Sequence, residues 1–500
     1  MQLNSGEIVK TILVLLNYAN TKRGYVFMLT SLDFLKVGEL FPPKCEVERL
    51  ENYDIYKKLF EGKHNDVYKY QIDRIKRVQG DFQEVISYNV ILNYQQLITK
   101  KTADLLVGES PKISVQDEKK QKIVDEIIKR NDIYNLLYII AMDTSRYGVG
   151  LFYLYKDLNR GVIDITQPAI WFPVVDERNV RRIKYHVLCI PRVLNENKNG
   201  NEIELYVEIH EKGRYTIKRF LVRNGKIIRE FTEEEKVVET WLNDFAIIPV
   251  TNITTSDNIY GISDYMAIDS IICELEVRFA QIAKVLDKHS QPSMQGPSSA
   301  LTYNRETDTY SLKTGSYFVV EGTDGKVSYL TWDAQLEANF RFIKELQNAL
   351  YIISEMGGTL LGERENGSGG VTSGIAYKLK METALQKVGR IRNSMDTALR
   401  KAISNCAKME GYDIDEYELI IEWKDGLIDD EREQAEIMQI KNGNKPVLSH
   451  VTSIMLANDM TMEEAEEEYQ RIMQEEMEAN PLNVPNPHIG ENEEIDEEND

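Results

Sequence analysis

The sequence is poor in the residues from which most catalytic and metal sites are built. Its 500 residues include four cysteines, at 45, 189, 273 and 406, and six histidines, at 64, 186, 210, 289, 450 and 488. No two cysteines form a C-x-x-C pair, which excludes a zinc ribbon or disulfide framework and leaves single reduced thiols. No two histidines share metal-ligand spacing, so each reads as a core or surface side chain. No apolar run reaches the ~18 residues of a membrane-spanning helix, and no membrane partner is expected. The apolar stretch at residues 8–19 lacks the basic leader and small-residue cleavage site of a signal peptide.

Basic charge is scarce as well. Asp and Glu number 81 against 60 Lys and Arg, a formal net charge of −21. Residues 461–500 hold 15 acids and one base, Arg471, so the other 460 residues carry a net of only −7. No dominant basic domain exists to neutralise phosphates, which argues against a protein that grips nucleic acid. Weakly repulsive acidic walls would suit DNA that slides past. With 42% hydrophobic and 28% charged residues, the body reads as globular, with a length that allows two to four domains.

Nucleotide-binding motifs are missing. Gly357 and Gly362 have P-loop spacing, but Glu363 stands where a Lys must meet phosphate, and the segment joins two helical patterns. Gly148-Val-Gly150 lacks the third glycine of a dinucleotide fingerprint and runs into a strand. Asp429-Asp430-Glu431 reads as first-turn acids of a helix rather than a metal site. No nucleophile stands with a matching base. No enzyme activity and no cofactor are expected. The alternatives are a DNA-packaging ATPase or nuclease, which would need the missing Walker or acidic-metal motif, and a cytosolic multidomain enzyme.

Periodicity predicts an α+β, mainly helical fold. Helical patterns cover residues 46–75, 89–106 (stopping at Gly108, with Pro111 beyond) and 118–145, with residues 114–117 leading into the last. Residues 151–250 read as one antiparallel meander with turns at Asn159-Arg-Gly161, Asn199-Gly200, Lys212-Gly213 and Asn224-Gly225. Ser263-Asp264 caps a helix that ends at Gln291-Pro292. Next comes a β-rich insert at 293–332, with strands at 309–313, 317–321 and 327–331 and a hairpin turn at 321–325. A second helix runs from Asp333 through Met356. Residues 357–373 are a loop with six glycines, and the longest helix runs from Ser373 to just before Gly411. A strand at 417–423, helical segments at 429–478 and an acidic tail, predicted to be disordered, complete the chain. The long helix carries Lys378, Lys380, Lys387, Arg390, Arg392, Arg400, Lys401 and Lys408 against Glu382, Asp396 and Glu410. Packing on acidic neighbours is favoured over contact with a polyanion.

Two long helices that bracket a small β domain form a stalk with that domain at its tip. This order resembles the portal proteins of tailed bacteriophages, particularly the siphovirus type with an acidic C-terminal tail. Local strings agree: QLITKKTADLLVGESPKI at 96–113, YGVGLFYLY at 147–155, IIPVTNITTSDNIYGISDYMAIDSII at 247–272 and IIEWKDGLIDDEREQAEIMQI at 420–440. The likeness extends from about residue 28 to the tail. Residues 1–27 lie outside it as an N-terminal extension, with an early start as one reading, and MLTSLDFLKVGELFPP from Met28 reads as an exposed beginning.

The resemblance implies a portal fold whose wing is 28–260, with stem helices at 261–289 and 334–356 and the clip at 290–333. It implies a tunnel loop at 357–372, a long wing-spanning helix and return strand at 373–425, a helical crown at 426–480 and an acidic tail at 481–500. A closed homo-oligomeric ring of about twelve subunits is implied, at one capsid vertex of the virion, assembled in the host cytoplasm. Its implied partners are the terminase, then the head–tail adaptor, capsid and scaffolding proteins, and double-stranded DNA that passes regardless of sequence. Gly358, Glu363, Arg364, Glu365, Asn366 and Gly367 are the expected DNA-facing loop residues. Thr302, Tyr303, Asn304, Arg305 and Asp324 are expected to dock partners at the clip.

Overall fold

The computed structural model describes residues 28–68, 90–197, 200–290, 294–297, 302–304, 309–311, 317–320, 327–329, 336–362, 379–424, 439–442, 448–458 and 460–479. The chain divides into two compact units, residues 1–368 with 379–426, and residues 369–378 with 427–500.

Among the described residues of the first unit, helices precede the sheets. Helix α1 is Lys44–Phe60, followed by a single turn at His64–Val67. Helix α2 is Tyr94–Val107; Asn93 Oδ1 accepts from the Gln96 N–H at its start, and Gly108 ends it, as the pattern predicts. The helix expected over 118–145 is two helices, α3 (Glu118–Arg130) and α4 (Ile133–Tyr147). Asn131-Asp132 separates them, with Asp132 in the left-handed region at φ 48°, a conformation that Asp tolerates better than most residues. Before α3 stands a strand that periodicity missed, β1 (Lys112–Ser114).

The expected single meander is two sheets. In one, β2 (Val149–Asp157) lies between β3 (Arg160–Thr166) and β10 (Ile247–Thr251). The other runs β4 (Trp171–Val175), β5 (Ile183–Asn197), β6 (Gly200–His210), β7 (Arg214–Arg223) and β8 (Lys226–Glu230), with β9 (Lys236–Glu239) also paired to β7. Strand β4 is buried at every residue, so it shows no alternation and went unread. The hairpin at Asn224-Gly225 forms as expected, both residues having positive φ, 51° and 71°. The tip of the β2–β3 hairpin is Leu158-Asn159, one residue ahead of the expected Asn-Arg-Gly turn, because Asp157 pairs with Arg160.

Residues 29–41 tie the two edges of the larger sheet together. The Val175 N–H donates to Leu29 O at 2.7 Å, and farther along Gly38 and Phe41 donate to Ile227 and Gly225 carbonyls at 2.8 and 2.9 Å. Phe34 and Leu35 share one buried core with Phe172, Val187, Leu205 and Phe220. Met28 packs with Val149, Leu151 and Trp171, so the segment from Met28 begins buried rather than exposed.

A close backbone contact sets the direction of the first long helix. Gly148 and Gly261 abut: a Cβ on Gly261 would stand 2.2 Å from Gly148 O, and one on Gly148 would stand 2.7 Å from the Gly261 carbonyl carbon. Both have positive φ, so only glycine fits either place. Beyond this contact runs helix α5 (Tyr265–Ser290). The β-rich insert holds β11 (Met294–Gly296), β12 (Thr302–Asn304), β13 (Thr309–Ser311), β14 (Tyr317–Val319) and β15 (Ser328–Tyr329). The expected 321–325 hairpin is corrected here: β11 lies between β14 and β15, parallel to the first and antiparallel to the second, so those strands are not neighbours. The turn residues themselves lie outside the described residues.

Helix α6 is Leu336–Ile353, and helix α7 is Glu382–Met409, preceded by helical residues 379–380 and a turn at Met381. The expected helix start at Ser373 lies outside the described residues. Strand β16 (Ile420–Glu422) pairs antiparallel with β1, so distant parts of the chain close a two-stranded sheet. In the second unit, α8 (His450–Asn458) and α9 (Met462–Ala479) pack together, with Ala465 fully buried and the His450 and Tyr469 rings stacked at 5.9 Å.

Candidate functional site

The richest polar constellation lies where α5 begins, α6 ends and α7 passes. Ser263 caps α5 as expected, its Oγ accepting from the Tyr265 N–H at 3.1 Å and donating to Arg146 O at 2.6 Å. Asp264 is the hub. Its Oδ2 accepts from Ser145 Oγ at 2.6 Å and from Lys387 Nζ of α7 at 3.0 Å, and its Oδ1 accepts from Asn252 Nδ2 at 2.9 Å. Lys387 also donates to Ser354 O, just past the end of α6, at 3.2 Å. The lysine and aspartate side chains are only 6% and 7% exposed. One ammonium thus joins the start of one long helix to the end of the other.

The segment after α6 is held in unusual backbone. Glu355 has φ 60°, Gly357 67° and Gly362 95°. The Glu355 position is strained for a residue with a side chain. Arg390 of α7 pairs with the Glu355 carboxylate, one helical turn on from Lys387. Two further cations of α7 are also engaged: Arg400 with Asp396 and Leu419 O, and Arg392 with Lys424 O and the Trp423 ring. Packing on acidic and carbonyl neighbours is therefore what these side chains do.

The first half of helix α5 is fastened to α2 and to the segments at His64–Tyr68 and Leu92. The Tyr265 and Thr99 hydroxyls lie 2.7 Å apart. Asp269 accepts from Tyr68 Oη and from Gln95 Nε2. Glu276 Oε1 stands 2.5 Å from His64 Nδ1 and accepts from the Leu92 N–H at 2.9 Å. His64 Nε2 faces Leu59 O at 3.0 Å. With an acceptor at each nitrogen the ring is satisfied as an imidazolium. Burial works against that charge, but the Glu276 carboxylate outweighs it and the pKa is raised. Burial likewise raises the Asp269 carboxyl and pushes His186 the other way, to about 3.

The expected loop residues are divided. Gly358 lies in a single helical turn, Gly357–Leu360, while Glu363, Arg364, Glu365, Asn366 and Gly367 lie outside the described residues. Thr302, Tyr303 and Asn304 are β12, in register with Ser311, Tyr310 and Thr309 of β13; Arg305 and Asp324 lie outside the described residues. Sequence reasoning found the Ser263-Asp264 cap and the packed basic helix. It missed Ser145, Asn252 and the His64–Glu276 pair, which are joined only by the fold. Among the described residues no group of His, Cys, Asp and Glu could hold a metal ion.

Two long helices, α5 and α6, flank a small β insert and are tied by buried polar contacts to a mixed helix-and-sheet body. The family model described as "Phage portal protein, SPP1 Gp6-like" matches residues 43–482, and the chain belongs to that family of structural, non-enzymatic capsid components. Two solved structures are similar to it. The virion of a native gene transfer agent particle matches at 11% identity with a TM-score of 0.43, and the neck of an empty such particle, computed with C6 symmetry, at 11% and 0.41. Each match covers 73% of this chain and 89% of that chain. No curated protein sequence matches.

Substitution at the hub and at His64 should separate these contributions. Lys387→Met or Asp264→Asn alone should cost about 3–5 kcal/mol in urea unfolding, because each strands a buried partner. The double variant should cost clearly less than the sum; additive costs would show that the two groups are not coupled. For His64, whose folded pKa is raised, the stabilising effect is complete below the unfolded value of about 6.5 and is lost as pH rises through the folded value. The stability gap between the native chain and His64→Gln should therefore narrow from about pH 6 upward. A gap that stays constant or widens would mean the ring is neutral in the fold.

Proposed function

We propose that this chain is one protomer of a closed ring of about twelve at a single capsid vertex of the virion, through which DNA is packaged and later ejected. Membership in the portal family carries the proposal. The two helices that bracket a β insert support it, since they provide a stem with a clip at its tip. Residues 28–260 are then the wing, α5 and α6 the stem, and 290–333 the clip that docks the terminase and afterwards the head–tail adaptor. Residues 426–480 are the crown. Capsid and scaffolding proteins meet the ring while it assembles in the host cytoplasm.

The ring does its work by geometry and charge. DNA moves because a separate motor drives it, so the channel must hold the duplex loosely. A mildly acidic body, with Lys387, Arg390, Arg392 and Arg400 of α7 occupied by protein groups, offers few sites for phosphate neutralisation. Residues 357–372 are the tunnel loop in this reading. Their root is fixed on α7 by Lys387 and Arg390, and Glu363, Arg364, Glu365 and Asn366 form a polar tip of alternating charge that meets phosphates without net attraction. Clip residues Thr302, Tyr303, Asn304, Arg305 and Asp324 meet the docking partners.

Replacing Glu363 and Glu365 with Lys places roughly two dozen new positive charges around a twelve-fold channel, each able to release counterions on meeting DNA. Rings should assemble normally, while packaging slows, most at low salt. Packaging in vitro at the native rate at every salt concentration would remove this loop from the channel.

A further inference from the structure

The larger sheet carries an arginine-bearing turn near one edge and a strand with exposed carboxylates near the other, at the same level. Its register aligns Pro173 with His186, His186 with His210, His210 with Tyr215, and Tyr215 with Val238, so one row runs from β4 to β9 in four strand-to-strand steps. Beyond the β4 end of that row is the β4–β5 turn, which carries Arg178, Arg181 and Arg182 together with Glu177, all exposed. The turn is rigidly built: Asp176 N–H donates to Arg182 O at 2.8 Å, and the Asp176 and Asn179 side chains accept from the Arg178 and Arg181 N–H groups at 2.9 and 3.0 Å. The three guanidinium groups have no ion-pair partner among the described residues.

At the other end of the row stands β9, a four-residue strand paired only to β7 and exposed along most of its length. Glu233 precedes it and Glu239 is its last residue, both exposed, whereas Glu234 and Glu235 already pair with Arg219 and Lys218. Immediately after it comes Trp241, 72% exposed, on left-handed backbone at φ 63°. A strained, non-glycine residue that presents an indole to water is costly unless something covers it. Glu233 and Glu239, the latter opposite Arg214 in the register and sharing the strand with exposed Lys236, stand near an open indole face and can receive guanidinium groups through ion pairs and stacking.

We infer that the β9 edge, with Glu233, Glu239 and Trp241, receives the Arg178–Arg181–Arg182 turn of a second copy of this chain. A surface and its complement on two edges of one molecule make a head-to-tail contact, the kind that closes into rings. The inference rests on the ring proposed above and assigns one of its subunit contacts. Its charge pairs are at the rim of the fold, so salt weakens them.

The test uses full-length chain, with assembly read by mass photometry and by electron microscopy. The first variant, Arg178→Glu, Arg181→Glu, Arg182→Glu, has two acidic edges; the second, Glu233→Lys, Glu239→Lys, has two basic ones. Each alone should need at least about tenfold more protein than the native chain for half-assembly, since like charges now meet. An equimolar mixture, or one chain bearing all five substitutions, should assemble as the native chain does, which also shows that the variants fold. If the native chain forms rings while the variants assemble equally well, or while the mixture fails to assemble, this contact is wrong and the ring stands. A native chain that forms no ring at any concentration overturns both.

Discussion

The buried pair of Lys387 and Asp264 is the constraint on which the rest of the main body depends. Asp264 receives the Ser145, Asn252 and Lys387 side chains, and Lys387 reaches on to the Ser354 carbonyl. A charge taken out of water must be met on all sides, so each partner has to arrive in one place. Helix α4, strand β10 and helices α5, α6 and α7 are thereby fixed about one point. The abutting backbones of Gly148 and Gly261 lie beside it and leave no room for a side chain.

That hub also explains how a strained backbone survives after α6. Glu355 is held in the left-handed region while Arg390 clasps its carboxylate and Lys387 holds the carbonyl before it. The strain is offset by contacts from α7, so the position of this segment is set by the long helix. The same division appears in the charges. Arg390, Arg392 and Arg400 of α7, like Lys387, are held by carboxylates, carbonyls and an aromatic ring, as packing on neighbours would have it.

Much of this was legible in the residues. Helix ends at Gly108 and Ser263, the Asn224-Gly225 hairpin and the order of helix, β insert and helix are local signals, written in capping and turn chemistry. The features that stayed hidden are non-local. Strand β4 is buried on both faces and has no period, β1 is three residues long and exists because β16 pairs with it, and the split into two sheets depends on β10 returning beside β2. Strand β11 between β14 and β15 defeated a hairpin reading that was sound locally. Of the polar hub, Ser263-Asp264 was visible as a cap and Lys387 as a packed cation. Asn252 and Ser145 carried no mark of their role, because it arises only when their elements meet.

The central claim is that this chain is a ring-forming portal protomer, and the most direct measurement is imaging of the purified full-length protein. Electron microscopy at micromolar concentration should show closed rings with a central hole wide enough for duplex DNA and rotational symmetry near twelvefold. Monodisperse compact particles without a channel, unchanged as concentration rises, would contradict it.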